Sequence, residues 1–339
     1  TASVPVTIAI DPPNGGLAPT VDIVEDADNN GVINKAELLG NVDVKVSFDG
    51  SKVAVGDIVE ITSGGVTNRV TVSVADKASG YVMTTFAPPA EGAEIAVKAV
   101  IIDKVGNTSP EGTDKATLDT TPTNGGLAPT VEITEDANND GFINAAELNG
   151  EVGVKVSFDG TKVLVGEVVS VTSGGVTKLV TISAADKAAG FVTTSFPAPA
   201  EGTEMLVKAV VLDAAGNPTP EGSDKATLDT TPTHGGLAPT VDITEDANND
   251  GFISAAELNG DIGVKVSFDG TKVVVGEVVS VTSGGVTKLV TITDADKAAG
   301  FVTATFTAPP EGTEMVVKAV VLDRAGNATP EASDKATLD

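Results

Sequence analysis

The sequence has 339 residues with 21 Lys and Arg, 48 Asp and Glu, one His and no Cys, for a formal net charge of −27. The length suggests two or three domains, and the acidity argues against nucleic acid or an anionic membrane as partner, since both recruit basic patches. Hydrophobic residues make up 41%, enough for ordinary cores and too many for a disordered acidic tail, and the lack of Cys excludes disulfides and thiolate zinc sites without excluding an extracellular setting.

GGLAPTV begins at Gly15, Gly125 and Gly235, a spacing of 110 residues. Repeats 2 and 3 are nearly identical, and repeat 1 is clearly related. A solenoid unit runs about 20–50 residues, so this period suits one complete small domain. The boundaries fall at 1–119, 120–229 and 230–339. These carry 8, 6 and 7 basic residues against 17, 15 and 16 acidic ones, −9 each, so the acidity belongs to the unit. No segment is long and apolar enough to span a membrane, and none resembles a signal peptide at residue 1. The sequence is therefore expected to be a piece of a larger chain.

In the middle repeat, Asp119-Thr-Thr-Pro-Thr123 reads as a linker, extended around Pro122. Strands are predicted at about 129–134, 152–158, 165–172, 176–183, 191–196, 204–212 and 223–228, from Val-rich alternation broken by Gly and Pro. Ser173-Gly-Gly175 is a tight hairpin turn, and Asp186–Gly190 a short loop of about one helical turn. Seven such strands predict an all-β chain of three tandem immunoglobulin-like antiparallel β-sandwich domains, here without the usual Cys pair and Trp. Phe158, Phe191 and Phe196 are core candidates. Phe191 and Phe196 have opposite parity on one strand, so both point inward only if a bulge intervenes.

Between the first two strands lies DANNDGFINAAE. Counted as a twelve-residue loop, it places Asp136, Asn138 and Asp140 at positions 1, 3 and 5, Gly141 at 6, Phe142 at 7, Asn144 at 9 and Glu147 at 12. That is the ligand order of an EF-hand calcium loop: alternating side-chain oxygens, a carbonyl from Phe142, a Gly for the sharp bend and a closing Glu. The third repeat repeats it with Asp246, Asn248, Asp250, Phe252, Ser254 and Glu257. The first has Asp26, Asp28, Asn30, Val32, Asn34 and Glu37, and is weaker because Asn30 replaces a carboxylate. Asp, Asn and Gly are also what exposed turns prefer, and Asn144-x-x-Glu147 and Ser254-x-x-Glu257 also fit a helix capping box. Three copies of the full spacing favour Ca²⁺. The flanks alternate as strands, so the loop is set into a β domain.

Loops alternate between the two ends of such a sandwich. The calcium loop, the Ser173 turn, the Glu201 loop and the exit at Asp229 fall at one end. Asp159, Asp186, Asp213 and Asn217 fall at the other, beside the incoming linker with Asp119. Unpaired carboxylates repel by about 1 kcal/mol per pair at 4 Å even in water. A second calcium site is therefore expected at each junction, from Asp119 and Asp213 with Asn217 or Asp159, and from Asp229 and Asp323 with Asn327 or Asp269. The plain alternative is that these are turn residues. Before repeat 1, Ala9 stands at the linker Asp position, so a site there is either completed by Asp11 or absent.

Catalysis finds no support. The one His, His234, lies in a linker where the other repeats have Asn14 and Asn124. There is no GxSxG elbow or GxxxxGK[ST] loop. Aromatic residues are only 3%, too few to line a glycosidase cleft.

GGLAPTV, EDANNDGFI, KVSFDGTKV, TSGGVTK, DKAAGF, the DxxGN turn and the TPT linkers together resemble the extender repeats of bacterial RTX adhesins, including those of the giant ice-binding adhesins of marine bacteria. The resemblance covers all three repeats. It implies a cell-surface protein exported by a type I system, whose repeats form an extended rod that projects a ligand-binding tip. It implies that calcium stiffens the junctions, and it supports the Asp-rich loops as ligands more firmly than Asp119 and Asp229. The partners expected are neighbouring repeats of the same chain, with no nucleic acid, no membrane insertion and a monomeric state. Ice binding by these repeats is not expected, because no regular Thr-x-Thr ladder is present. The alternatives are a cadherin-like or carbohydrate- or protein-binding adhesion module, and ancillary domains of a secreted hydrolase.

Overall fold

Alternation of apolar and polar residues sets each strand's two faces, and the computed structural model shows the result for residues 11–339. Ala9 lies outside these residues. The first repeat contains β1 (Thr20–Ile23), β2 (Val32–Ile33), β3 (Val42–Ser47), β4 (Ile58–Ser63), β5 (Val66–Thr71), α1 (Val74–Ser79), β6 (Tyr81–Phe86), β7 (Glu94–Ile102) and β8 (Gly112–Leu118). The second contains β9 (Thr130–Ile133), β10 (Phe142–Ile143), β11 (Val152–Ser157), β12 (Val168–Ser173), β13 (Val176–Thr181), α2 (Ala184–Ala189), β14 (Phe191–Phe196), β15 (Glu204–Leu212) and β16 (Gly222–Leu228). The third repeats this pattern from Thr240–Ile243 to Ala332–Leu338.

Each repeat is a sandwich of two sheets. In the second, β14-β11-β9 form one sheet and β10-β16-β15-β12-β13 the other. All pairings are antiparallel except β10 with β16. The chain is thus all-β, as its sequence predicts, with one strand more per repeat. That strand, β10, lies inside the Asp-rich loop. It has two residues, too few to show periodicity.

Val152, Val154 and Val156 of β11 are buried in one core cluster with Met205, Val207, Ala209 and Val211 of β15. Phe158 and Phe196 are also in the core. Phe191 is not. The β11–β14 register runs without a bulge from Val152↔Phe196 to Ser157↔Phe191, so parity turns Phe191 outward, where Lys155 Nζ sits 5.4 Å from its ring centre. The expected turn at 186–190 is a six-residue helix with a reciprocal capping box between Ser183 and Asp186, ended by Gly190 at φ 79°. Asp186 is therefore a helix cap. His234 is buried, with Nδ1 2.8 Å from the Leu237 carbonyl oxygen.

Candidate metal centre

The Asp-rich loop folds by turning its own side-chain oxygens onto its backbone. In the second repeat Asp136 Oδ1 and Oδ2 accept the N–H groups of Asp140 and Gly141, each at 3.0 Å. Asn138 Oδ1 accepts Asp140 N–H at 2.9 Å, and Asp140 Oδ1 accepts Phe142 N–H at 2.9 Å. Asn139 and Gly141 take positive φ, 57° and 87°, which Asn and Gly tolerate. Asp246, Asn248 and Asp250 repeat these bonds. Asp136 and Asp246 are buried.

The loop is fastened to the sandwich by β10. Ile143 is fully buried. Gly141 and Ile143 carbonyls accept the N–H groups of Thr227 and Asp229, so both face the sheet. In a strand, successive peptide groups point to opposite sides. The carbonyl of Phe142 therefore faces the other way, on the side where its own N–H meets Asp140. The same placement holds for Val32 and Phe252, whose neighbours make the matching bonds.

Electrostatics mark the loop as short of positive charge. Burial raises the Asp136 pKa above its ordinary value, and the nearby Asp140 and Glu147 charges add to this. Asp26 is raised by burial first, then by Asp28 and Glu37. Its Oδ2 accepts Gly31 N–H at 3.0 Å, but its Oδ1 is buried without a partner among the described residues. Such an orphaned oxygen costs about 1–3 kcal/mol. A hard cation would satisfy it. The donor set is all oxygen and rich in carboxylate, which suits Ca²⁺.

The end of the loop is also a cap. Glu147 Oε2 accepts Asn144 N–H at 3.1 Å, and Asn144 Oδ1 accepts the N–H groups of Ala146 and Glu147 at 2.9 and 3.1 Å. Glu37 pairs with Asn34 N–H and Glu257 with Ser254 in the same way. The capping-box alternative is therefore realised in hydrogen bonds, over a single turn. Among the described residues, no three His, Cys, Asp or Glu side chains gather as a metal cage. In loop 1, Asn30 Nδ2 donates to Asp28 Oδ2 at 3.0 Å. Loop 1 thus carries its carboxylate at position 3 and its amide at position 5, the reverse of Asn138 and Asp140 in loop 2 and of Asn248 and Asp250 in loop 3.

At the junctions, the structure brings together part of the expected set. The Asp119 pKa is raised by burial, then by the Asp213 and Glu91 charges. Asp229 is raised by burial, then by Asp323, Glu201 and Glu277. Asp159 and Asp269 do not join these pairs. Each is held in its own turn, accepting N–H and Oγ1 of Thr161 or Thr271, with Lys162 or Lys272 beside it. Asn217 and Asn327 lie at the junctions but are spent on hydrogen bonds. Asn217 Oδ1 accepts Lys35 N–H from the preceding repeat at 2.8 Å, and its Nδ2 donates to the Asp119 carbonyl and Asp213 Oδ2. Asn327 does the same with Ala145, Asp229 and Asp323. In the structure these four side chains make turn and junction hydrogen bonds.

Glu91 and Glu201 are the junction residues that sequence reasoning misses. Glu91 accepts N–H and Oγ1–H from both Thr120 and Thr121, at 2.7–3.0 Å. Desolvation opposes its charge, but the Thr121 and Thr120 hydrogen bonds outweigh this and lower its pKa. Glu201 grips Thr230 and Thr231 likewise. The recurring Glu-Gly after a Pro-rich loop, paired with a Thr-Thr linker, was the available signal.

A family model described as EF hand matches residues 136–150 and 246–260. No curated protein matches the chain. Similar solved structures include a Ca²⁺-stabilized adhesin that helps an Antarctic bacterium reach out and bind ice. It is 26% identical, with 95% of this chain and 74% of that chain covered and a TM-score of 0.38. A 1.5-MDa bacterial ice-binding adhesin is 20% identical over 95% of this chain and 97% of its own, with a TM-score of 0.34. A tetra-tandem repeat from the extending region of a large adhesion protein is 21% identical over 95% and 74%, with a TM-score of 0.31. No helix among the described residues is long and apolar enough to cross a membrane.

Proposed function

We propose that this chain is a calcium-binding extender segment of a bacterial cell-surface adhesin of the RTX type. Its repeats are spacers that hold a distal binding region away from the cell. The observation that carries the reading is the loop of Asp136–Glu147 and its two counterparts, each fastened to its sandwich by a two-residue strand and each placed against the next repeat or the chain's last strand. Asp136, Asn138, Asp140, the Phe142 carbonyl, Asn144 and Glu147 would hold the ion in repeat 2, with the matching residues in repeats 1 and 3. Asp119 with Asp213, and Asp229 with Asp323, are the junction carboxylates a second ion would join. The ion supplies positive charge to buried, mutually repelling carboxylates.

This chemistry makes folding respond to its surroundings. An ion that binds only the folded form stabilises it by about 2.7 kcal/mol at a hundredfold excess over Kd. In a cell, where free calcium is low, the units would be loose enough for export through a type I system. Outside, calcium would tighten each loop and set each junction. The partners are then neighbouring repeats of the same chain.

Calorimetric titration of the full chain with Ca²⁺, after chelation, tests this. The expected result is saturable binding at three loops, weakest in repeat 1, with a melting temperature that rises with calcium. Absence of binding at millimolar calcium would refute the reading.

A further inference from the structure

We propose that Asn217 and Asn327 couple ion occupancy of the calcium loop in one repeat to the seating of the next repeat. The inference rests on the calcium reading above and deepens it.

The DxxGN turns Asp213–Asn217 and Asp323–Asn327 close on themselves through Asn N–H and Nδ2 to the Asp carboxylate. That leaves the amide oxygen pointing out of the turn. In both junctions it accepts the N–H of position 10 of the preceding loop: Lys35 to Asn217 at 2.8 Å, Ala145 to Asn327 at 2.9 Å. The amide nitrogen also reaches the carbonyl of the first linker residue, Asp119 at 2.9 Å and Asp229 at 2.7 Å. One planar side chain therefore bridges loop, linker and turn. Asn217 is 1% exposed and Asn327 6%. At the second junction Asn144 Nδ2 adds a bond to the Ala325 carbonyl at 2.9 Å.

Packing agrees with the hydrogen bonds. Ala215 and Ala325, inside these turns, are buried at 7% and 1% exposed, whereas Val105 at the same place in repeat 1 is 67% exposed.

Position 10 lies between two candidate ligands, positions 9 and 12. An ion that orders Asn144 and Glu147 fixes the N–H of Ala145 between them, and that N–H is what Asn327 reads. By linkage the effect is reciprocal: a seated next repeat must raise the ion affinity of the loop before it. The amide is suited to this because it offers an acceptor and donors in one plane. Alanine offers neither.

The test uses the full chain. It contains no Trp, so Phe142→Trp or Phe252→Trp gives a sensitiser that reports Tb³⁺, as a stand-in for Ca²⁺, in loop 2 or loop 3 alone. Asn327→Ala should weaken loop 2 by about fivefold or more, the lower end of ordinary coupling, and leave loop 3 unchanged. With Val32→Trp as the reporter for loop 1, Asn217→Ala should weaken loop 1 only. In the metal-free chain Asn327→Ala should also speed hydrogen exchange at the Ala145 amide. Loop 3 sits in the same repeat as Asn327 and so monitors that repeat's folding. Loss at both loops would mean that Asn327 merely holds repeat 3 together, and would overturn the coupling. Unchanged loop 2 affinity would overturn it too, while leaving the calcium reading intact. Failure of the unsubstituted loops to bind Tb³⁺ or Ca²⁺ would overturn both.

Discussion

Ile143→Ala tests whether the Asp-rich loop is part of the sandwich or an appendage to it. Ile143 is fully buried and belongs to the repeat's core cluster, and its strand partner is Leu228. The change removes three carbons. At about 0.8 kcal/mol per buried methylene this is about 2.5 kcal/mol, and the cavity left behind brings the cost to about 3–4 kcal/mol. For a unit of this size, about 4 °C per kcal/mol gives a drop of about 12–16 °C. Scanning calorimetry of the full chain is the assay. About a third of the unfolding enthalpy should separate and melt early, in chelator and in calcium alike. Ile143→Val should shift the same fraction by about a quarter to a third as much. Loop 2 should also need more calcium to saturate, because its anchor is loosened. A variant that melts with the other repeats would refute the docking of the loop through β10, and with it the argument that the Phe142 carbonyl is aimed by the sheet.

Further expectations concern single groups. Asn30→Asp should tighten loop 1 and Asp140→Asn should loosen loop 2, each by about tenfold for one ligand charge, measured by calcium titration; equal affinities in all variants would contradict the position-5 assignment. Asp119 has a raised pKa in the fold, so its contribution to stability is present at low pH and lost as pH rises through that value. In chelator at neutral pH, Asp119→Asn should therefore raise the melting temperature slightly. The group is partly exposed, so the gain is at most about 1 kcal/mol. In calcium the same variant should gain less from the ion than the unsubstituted chain, and a chelator melting point that falls would count against the repulsion. Glu91→Ala removes four exposed hydrogen bonds to Thr120 and Thr121 and should cost little melting stability, about 1 kcal/mol or less. It should nevertheless broaden the distance distribution between spin labels placed on repeats 1 and 2, leaving repeats 2 and 3 unaffected. A narrow distribution at the first junction would show that Glu91 does not restrain it.

How much of this is legible in the sequence depends on the range of the interaction. The strands at 130–133, 152–157, 191–196 and 204–212 follow from period-two alternation, and parity alone settles that Phe191 and Phe196 face opposite ways. Loop-end alternation correctly puts the calcium loop of one repeat against the DxxGN turn of the next. β10 is invisible because two residues carry no period, and its partner lies some 85 positions away at Thr227 and Leu228 (142 to 227). Asp159 looks like a spare carboxylate until Thr161 and Lys162 are seen to occupy it. Asn217 reads as a ligand by its chemistry, and only the approach of Lys35 from the preceding repeat shows where its oxygen goes. The Asn144 and Glu147 bonds fit a cap and a ligand alike, because both roles ask for an oxygen at the same place.

If calcium stiffens the line of repeats, small-angle X-ray scattering with and without excess EDTA will show it. The longest strand of each repeat has nine residues, about 30 Å at about 3.3 Å each; with the loops at both ends a repeat is roughly 35–40 Å long, so three in line should extend about 110–120 Å. A rod of that length is expected in calcium, and a more compact or more variable particle after chelation. A scattering profile that does not change on removing calcium would contradict it.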